Sequence, residues 1–158
     1  MLEEKIMATY EEELFRYGIT CVENLVHLKK VTPDQRDELI LMAKSGIVPS
    51  RDVLEQVFSE AVKRIGEKTS EAVDEYFVKR HNKLIDDREG NYIKLSDEQC
   101  EMCKVRDGIV TNVRYMDDVA VYEVEYSDGK GIAIGKYFAT ANVGDKIRCH
   151  NHAAVKKI

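Results

Sequence analysis

No stretch of this 158-residue chain approaches the roughly 18 to 20 consecutive apolar residues that a membrane-spanning helix needs, so no such helix is expected. Nor is secretion expected: Glu3 and Glu4 stand where a signal needs positive charge, and the opening residues lack its unbroken apolar core. A cytoplasmic location follows as the expectation. Cysteine is scarce, four in all, and in an unsignalled chain these read as thiols or metal ligands rather than disulfides. Positive charge is short in the first part: residues 1–103 carry 15 basic against 22 acidic side chains, residues 104–158 nine against seven. An acidic surface repels phosphate, so nucleic-acid contact would have to come from the second part. The chain has no internal repeat and no low-complexity tract. It also lacks a phosphate-binding glycine loop, since Gly129, Gly131 and Gly135 precede no helix. No serine, histidine and acid pattern rises above chance.

What remains is an ordinary globular composition, 44% hydrophobic and 34% charged, in a length that fits one domain or two small ones. Leu2, Ile6, Tyr10, Leu14 and Tyr17 recur at steps of four and three, which predicts a helix over about 1–17 ended by Gly18. Thr20 and Glu23 form a capping-box pair ahead of a short helix over about 21–30. Thr32, Pro33 and Gln35 open a third helix, which carries Leu39, Ile40, Met42 and Ala43 inward. Further helices are expected over about 50–65 and 68–86. The first 88 residues thus form a bundle of four or five helices.

The charged run Asp86 to Asn91 changes the periodicity from 3.6 to 2, which places a boundary there and a second domain at 91–158. Ser96 and Gln99 make another capping box for a short helical turn bearing Cys100 and Cys103. From Gly108 the pattern is that of strands. Ile109, Thr111, Val113 and Tyr115 share one face, then Ala120, Tyr122, Val124 and Tyr126 share another. Turns at Asp117–Asp118, Ser127–Gly129 and Asn142–Asp145 separate five short strands, the fold class being α+β with a small antiparallel β-barrel, SH3-like or OB-like.

Chemistry concentrates in that second part. Cys100 and Cys103 form a C-x2-C pair, and Cys149 with His152 forms a C-x2-H pair. Three thiolates and an imidazole match the tetrahedral sulfur and nitrogen preference of zinc and would fill every coordination position, which makes a structural site. The 45 residues between Cys103 and Cys149 exceed the roughly 15 to 20 of a compact zinc ribbon, so a domain would be inserted between the knuckles. His150 is the alternative fourth ligand; strand alternation sets it opposite Cys149, which favours His152. The bland reading makes Cys149 a small core residue beside Ile147. His27 and His81 read as structural or solvated, and Cys21 as a helix-start residue without a partner. Cys100-x2-Cys103 lacks the strand and helix alternation of a thioredoxin-type dithiol and the following histidine of a haem site.

The expected function is a non-catalytic binding or adaptor module, clasped by structural zinc, for a protein or nucleic-acid partner. Arg114, Lys136, Tyr137 and Arg148 are the candidate contact residues. Core packing is expected to claim Tyr115, Tyr122 and Tyr126, which leaves Tyr137 exposed; Phe138 adds to the same aromatic set. Two alternatives stand: a zinc-dependent hydrolase, if the metal keeps an open position, and a helix-turn-helix DNA-binding regulator built on residues 33–65. The second helix of that pair sets Asp52, Glu55 and Glu60 beside Arg51, Lys63 and Arg64, which largely cancels phosphate attraction. The helical part has more apolar positions than a short bundle covers, which leaves room for a homo-oligomer.

Overall fold

The computed structural model describes residues 8–137 and 141–158. Leu2, Ile6 and Phe138 lie outside the described residues. Helix α1 (Tyr10–Gly18) starts at a Thr9 cap whose hydroxyl accepts from the Glu12 amide, and it buries Tyr10, Leu14 and Tyr17 as their spacing predicts. Gly18 ends it for a different reason from the one its type suggests. Its φ of -68° is helical, and a Cβ there would come within 2.7 Å of the Phe58 ring, so glycine serves a close approach.

The Thr20 capping box does not form. A 3-10 turn (Ile19–Cys21) runs straight into α2 (Val22–His27), and the Thr20 hydroxyl instead donates to the Tyr17 carbonyl at 2.7 Å. The boxes at α3 (Pro33–Lys44) and α8 (Asp97–Met102) are both made, with Thr32 and Gln35 in one and Ser96 and Gln99 in the other. The helix expected over 50–65 is split at Phe58 into α4 (Arg51–Val57) and α5 (Ser59–Ile65). The last expected helix comprises α6 (Ser70–Glu75), a π-helical stretch (Tyr76–Arg80) and α7 (His81–Asp86). Within the π-helical stretch the wide turn carries the buried face from Val73 through Tyr76 and Phe77 to His81 and Ile85.

Strands β1 (Val105–Met116), β2 (Val119–Tyr126), β3 (Gly129–Gly135), β4 (Lys146–His150) and β5 (Ala153–Lys157) close a barrel in the order β1-β2-β3-β5-β4. Pairing is antiparallel throughout except between β3 and β5, which meet in parallel at Ile134 and Ala153, so the barrel is mixed. A long first strand shared between β2 and β4, with β3 beside β5, is the OB-like of the two expected connectivities. Val110, Tyr122, Val124, Ala133, Ile147 and Cys149 fill the interior. A bulge between Val110 and Asn112 shifts the parity of β1, so Val110 and Val113 face inward. Tyr115, expected in the core, sits opposite Ala120 at the hairpin end and is 70% exposed. Tyr122 is buried and Tyr126 packs against the same interior as a half-buried ring.

The bundle lies against the outer face of β4, β5 and the start of β1, where Val105 and Val155 join the core of the helices. A half-buried ionic network ties the two parts. Arg148 holds both carboxylate oxygens of Asp107 at 2.8 and 3.1 Å, and Asp74 accepts from Tyr17, Lys156 and Arg148 at 2.6, 2.6 and 3.3 Å. Lys156 also reaches Glu13 at 3.0 Å. None of the described helices is long and apolar enough to cross a membrane.

Candidate metal centre

Strand alternation decides the site. Along β4, Ile147 and Cys149 point into the barrel while Arg148 and His150 point out at the helices. His150 is thereby carried under the bundle, 1% exposed, against the turn that joins α1 to α2. Its Nε2 stands 3.1 Å from Cys21 Sγ, and Cys21 Sγ stands 3.3 Å from Cys103 Sγ at the C-terminal cap of α8. Among the described residues, these three form the one group of histidine, cysteine and acid donors close enough together to hold an ion.

Tetrahedral zinc, with bonds of about 2.3 Å to sulfur and about 2.0 Å to nitrogen, spaces its donors about 3.5 to 3.8 Å apart. The two contacts at Cys21 therefore need to open by only about 0.5 Å to admit one. At most two thiol protons lie among the three converging donors, and a cation that displaces them would satisfy all three at once.

The surroundings suit a ligand set. The Thr20 hydroxyl gives its proton to Tyr17, so the His150 Nδ1–H must be the donor to Thr20 Oγ1 at 2.7 Å and to the Tyr17 carbonyl at 2.9 Å. That tautomer turns the lone pair of Nε2 toward Cys21, as metal coordination requires. Burial pushes the His150 imidazole down to about 4, so it is neutral at pH 7. The contact with the Cys21 thiol and the Asn24 amide, which donates to Cys103 Sγ at 2.8 Å, hold the Cys103 pKa below the ordinary cysteine value despite burial. The thiol of Cys21 is raised, by its hydrogen bond with Cys103 and by burial. Of the two thiols, Cys103 is therefore the more readily deprotonated.

The residues singled out by spacing are distributed otherwise. Cys103 is in the trio, and so is the alternative ligand His150. Cys100 lies in a small cluster with Ile85 and Leu95, its thiol directed at the Tyr92 carbonyl at 3.6 Å. Cys149 is inside the barrel, its pKa pushed up to about 11 by burial. His152 occupies the exposed turn between β4 and β5, where Asn151 and His152 both adopt positive φ, and it does not swing back toward Cys103. The spacing-based quartet is therefore not gathered at one point. Cys21, read as partnerless, supplies the missing donor, and Thr20 orients His150 instead of capping α2.

The candidate contact residues also divide. Arg114 is exposed and pairs with Glu123 at 3.2 Å. Lys136 lies over the Tyr137 ring at 5.4 Å, and Tyr137 packs against the bundle core instead of standing free. Arg148, 9% exposed, is enclosed by Asp107, Asp74 and Tyr17.

Beside the trio lies a cavity of about 90 Å³, walled by Leu25, Phe58, Tyr76, Phe77 and Tyr92, with His81 on the same wall as Cys21, Cys103 and His150. Comparison of the chain with protein-family models, with curated proteins and with solved structures gave no match.

Proposed function

We propose that the protein is a binding module whose helical bundle and OB-like barrel are locked together by a structural zinc ion on Cys21, Cys103 and His150. The carrying observation is that three donors suited to zinc, Cys103 and His150 lying 82 and 129 positions from Cys21 in the chain, converge in the seam between bundle and barrel, with an imidazole that is neutral and turned toward Cys21. Two thiolates balance a divalent charge, so the loaded site is electrically neutral where burial would penalise a net charge. Sulfur and imidazole donors favour zinc among the common cations.

The partner is a protein. On the outer face of β1, β2 and β3, Met116, Ile132 and Ile134 are exposed and neighbour the half-buried Val119 and Val121, with Val121 opposite Ile134 and Met116 opposite Val119. Glu123 and Glu125 line the same face of β2, Arg114 is matched by Glu123, and Arg148 is enclosed, so the surface offers apolar contact and little free positive charge for phosphate.

Native mass spectrometry with and without a chelator tests the proposal. One zinc per chain is expected, lost with Cys21→Ser and retained with His152→Ala. A purified, reduced protein without metal sinks it. The hydrolase alternative draws on one observation, the cavity beside a trio of ligands, since catalytic zinc keeps an open position. Turnover that vanishes with chelator while the fold survives would favour it.

A further inference from the structure

Resting on the zinc reading above, we propose that His81 supplies the fourth ligand, which makes the centre a closed Cys2His2 site with no position left for water or substrate. The ring of His81 stands 4.9 Å from that of His150, centroid to centroid, at an interplanar angle of 88°. Two imidazoles, each bound through one nitrogen to a tetrahedral zinc by bonds of about 2.0 Å, hold their centroids about 5 Å apart. His81 stands outside the trio in donor distance, and the cavity bordered by all four side chains is the space into which its ring turns to reach the ion.

His81 is otherwise hard to account for. It is 2% exposed, and its ring makes one long polar contact, Nδ1 to Asn82 Oδ1 at 3.3 Å. The amide of Asn82 is already fixed from both ends by the Val105 backbone, at 2.8 and 2.9 Å. Asn82 Oδ1 can accept a second proton from His81 Nδ1, which leaves the His81 Nε2 lone pair for the metal, the arrangement His150 has with the Tyr17 carbonyl. The backbone is bent to this position: the His81 amide closes the π-helical turn onto the Tyr76 carbonyl five residues earlier, a rare geometry that concentrates at functional positions. Charge points the same way. With two thiolates already balancing a divalent ion, a neutral fourth ligand such as imidazole keeps the buried site free of net charge, which a carboxylate or a third thiolate would not.

X-ray absorption on the zinc-loaded, full-length wild type tests the assignment without any substitution. Two sulfur and two imidazole nitrogen neighbours are expected. Two sulfurs, one imidazole and one oxygen overturn it. In cobalt-loaded protein, His81→Ala should shift the visible ligand-field bands, weaken metal binding by at least 10-fold, and recover both on addition of free imidazole. Unchanged bands and affinity in that variant overturn the assignment while leaving the three-ligand site intact. Failure of the wild type to take up cobalt or zinc removes the zinc reading itself, and this inference with it.

Discussion

Cys149 and His150 are sequence neighbours on opposite sides of one strand: the thiol of Cys149 lies in the barrel interior, and the imidazole of His150 lies among Tyr17, Phe77 and Cys21 under the helices. Cys149 cannot share an ion with His150, because alternate side chains of a strand face opposite directions, and His152, its C-x2-H partner, lies in the exposed turn beyond β4. The metal-capable group is therefore assembled across the seam and not within the barrel.

That division gives the first prediction. Cys21→Ser and Cys103→Ser should each abolish stoichiometric zinc retention, whereas Cys100→Ser and Cys149→Ser should leave it unchanged. Metal analysis of the four purified variants decides it. Cys149→Ser should still lower stability, by about 1 to 2 kcal/mol, since it puts a hydroxyl into an apolar core. In the zinc-loaded wild type, alkylation followed by mass spectrometry should find Cys21 and Cys103 protected until chelator is added.

Acid should weaken the metal-free protein in a defined window. The folded imidazole of His150 titrates at about 4, below the roughly 6.5 of an unfolded chain, so the unfolded state binds more protons between those values. Stability contributed by neutral His150 is complete above about pH 6.5 and is lost as pH falls to about 4, on the order of 3 kcal/mol in all. His81, also lowered by burial and by the neighbouring His150, adds a loss of the same sign. Urea denaturation of chelator-treated protein at pH 7 and pH 5 is the check, and equal midpoints would contradict it.

How far the chain could be read on its own depended on whether a feature was local. Helix starts with a self-contained signal, such as Thr32 with Gln35 or Ser96 with Gln99, form as their residues suggest, and so does the buried alternation of Ala120, Tyr122 and Val124. Thr20 carries the same kind of signal and fails, because its hydroxyl is taken up by the Tyr17 carbonyl and by His150, 130 positions away. The regrouping of the ligands is of this second kind. Alternation along β4 already set His150 apart from Cys149, but only the packing of the bundle on that outer face shows that Cys21 meets it there. The one-residue bulge in β1 that moves Val110 inward carries no composition signal either.

The ionic network of the seam should be worth more than a surface pair. Burial alone would raise the Asp74 carboxyl, but hydrogen bonds from Lys156 and Tyr17 and the charges of Lys156 and Arg148 outweigh it and hold the carboxyl below its usual range. Asp74→Ala removes the shared acceptor of all three groups and leaves Arg148 with Asp107 alone. A loss of about 2 kcal/mol is expected in urea denaturation at pH 7, much more than for Asp37→Ala, whose pairing with Arg36 is exposed.

The outer strip of the barrel yields the last prediction. Ile134 faces Val121 across the β2–β3 ladder and is exposed, so replacing it with lysine introduces charge at the centre of the apolar surface without touching the interior lined by Ala133. Folding stability should change by less than about 0.5 kcal/mol, as for other exposed sites. Zinc content should not change, because the strip is on β1, β2 and β3, whereas the trio comes from the turn after α1, the end of α8 and β4. What should change is association. If a second copy covers the strip, Ile134→Lys shifts the sedimentation of the protein toward monomer; if a different protein covers it, the wild type is already monomeric and the variant loses that partner in a pull-down against defined candidates. An oligomer that withstands Ile134→Lys would place the interface on the helices, where Leu41, Val53 and Val78 are among the exposed apolar side chains.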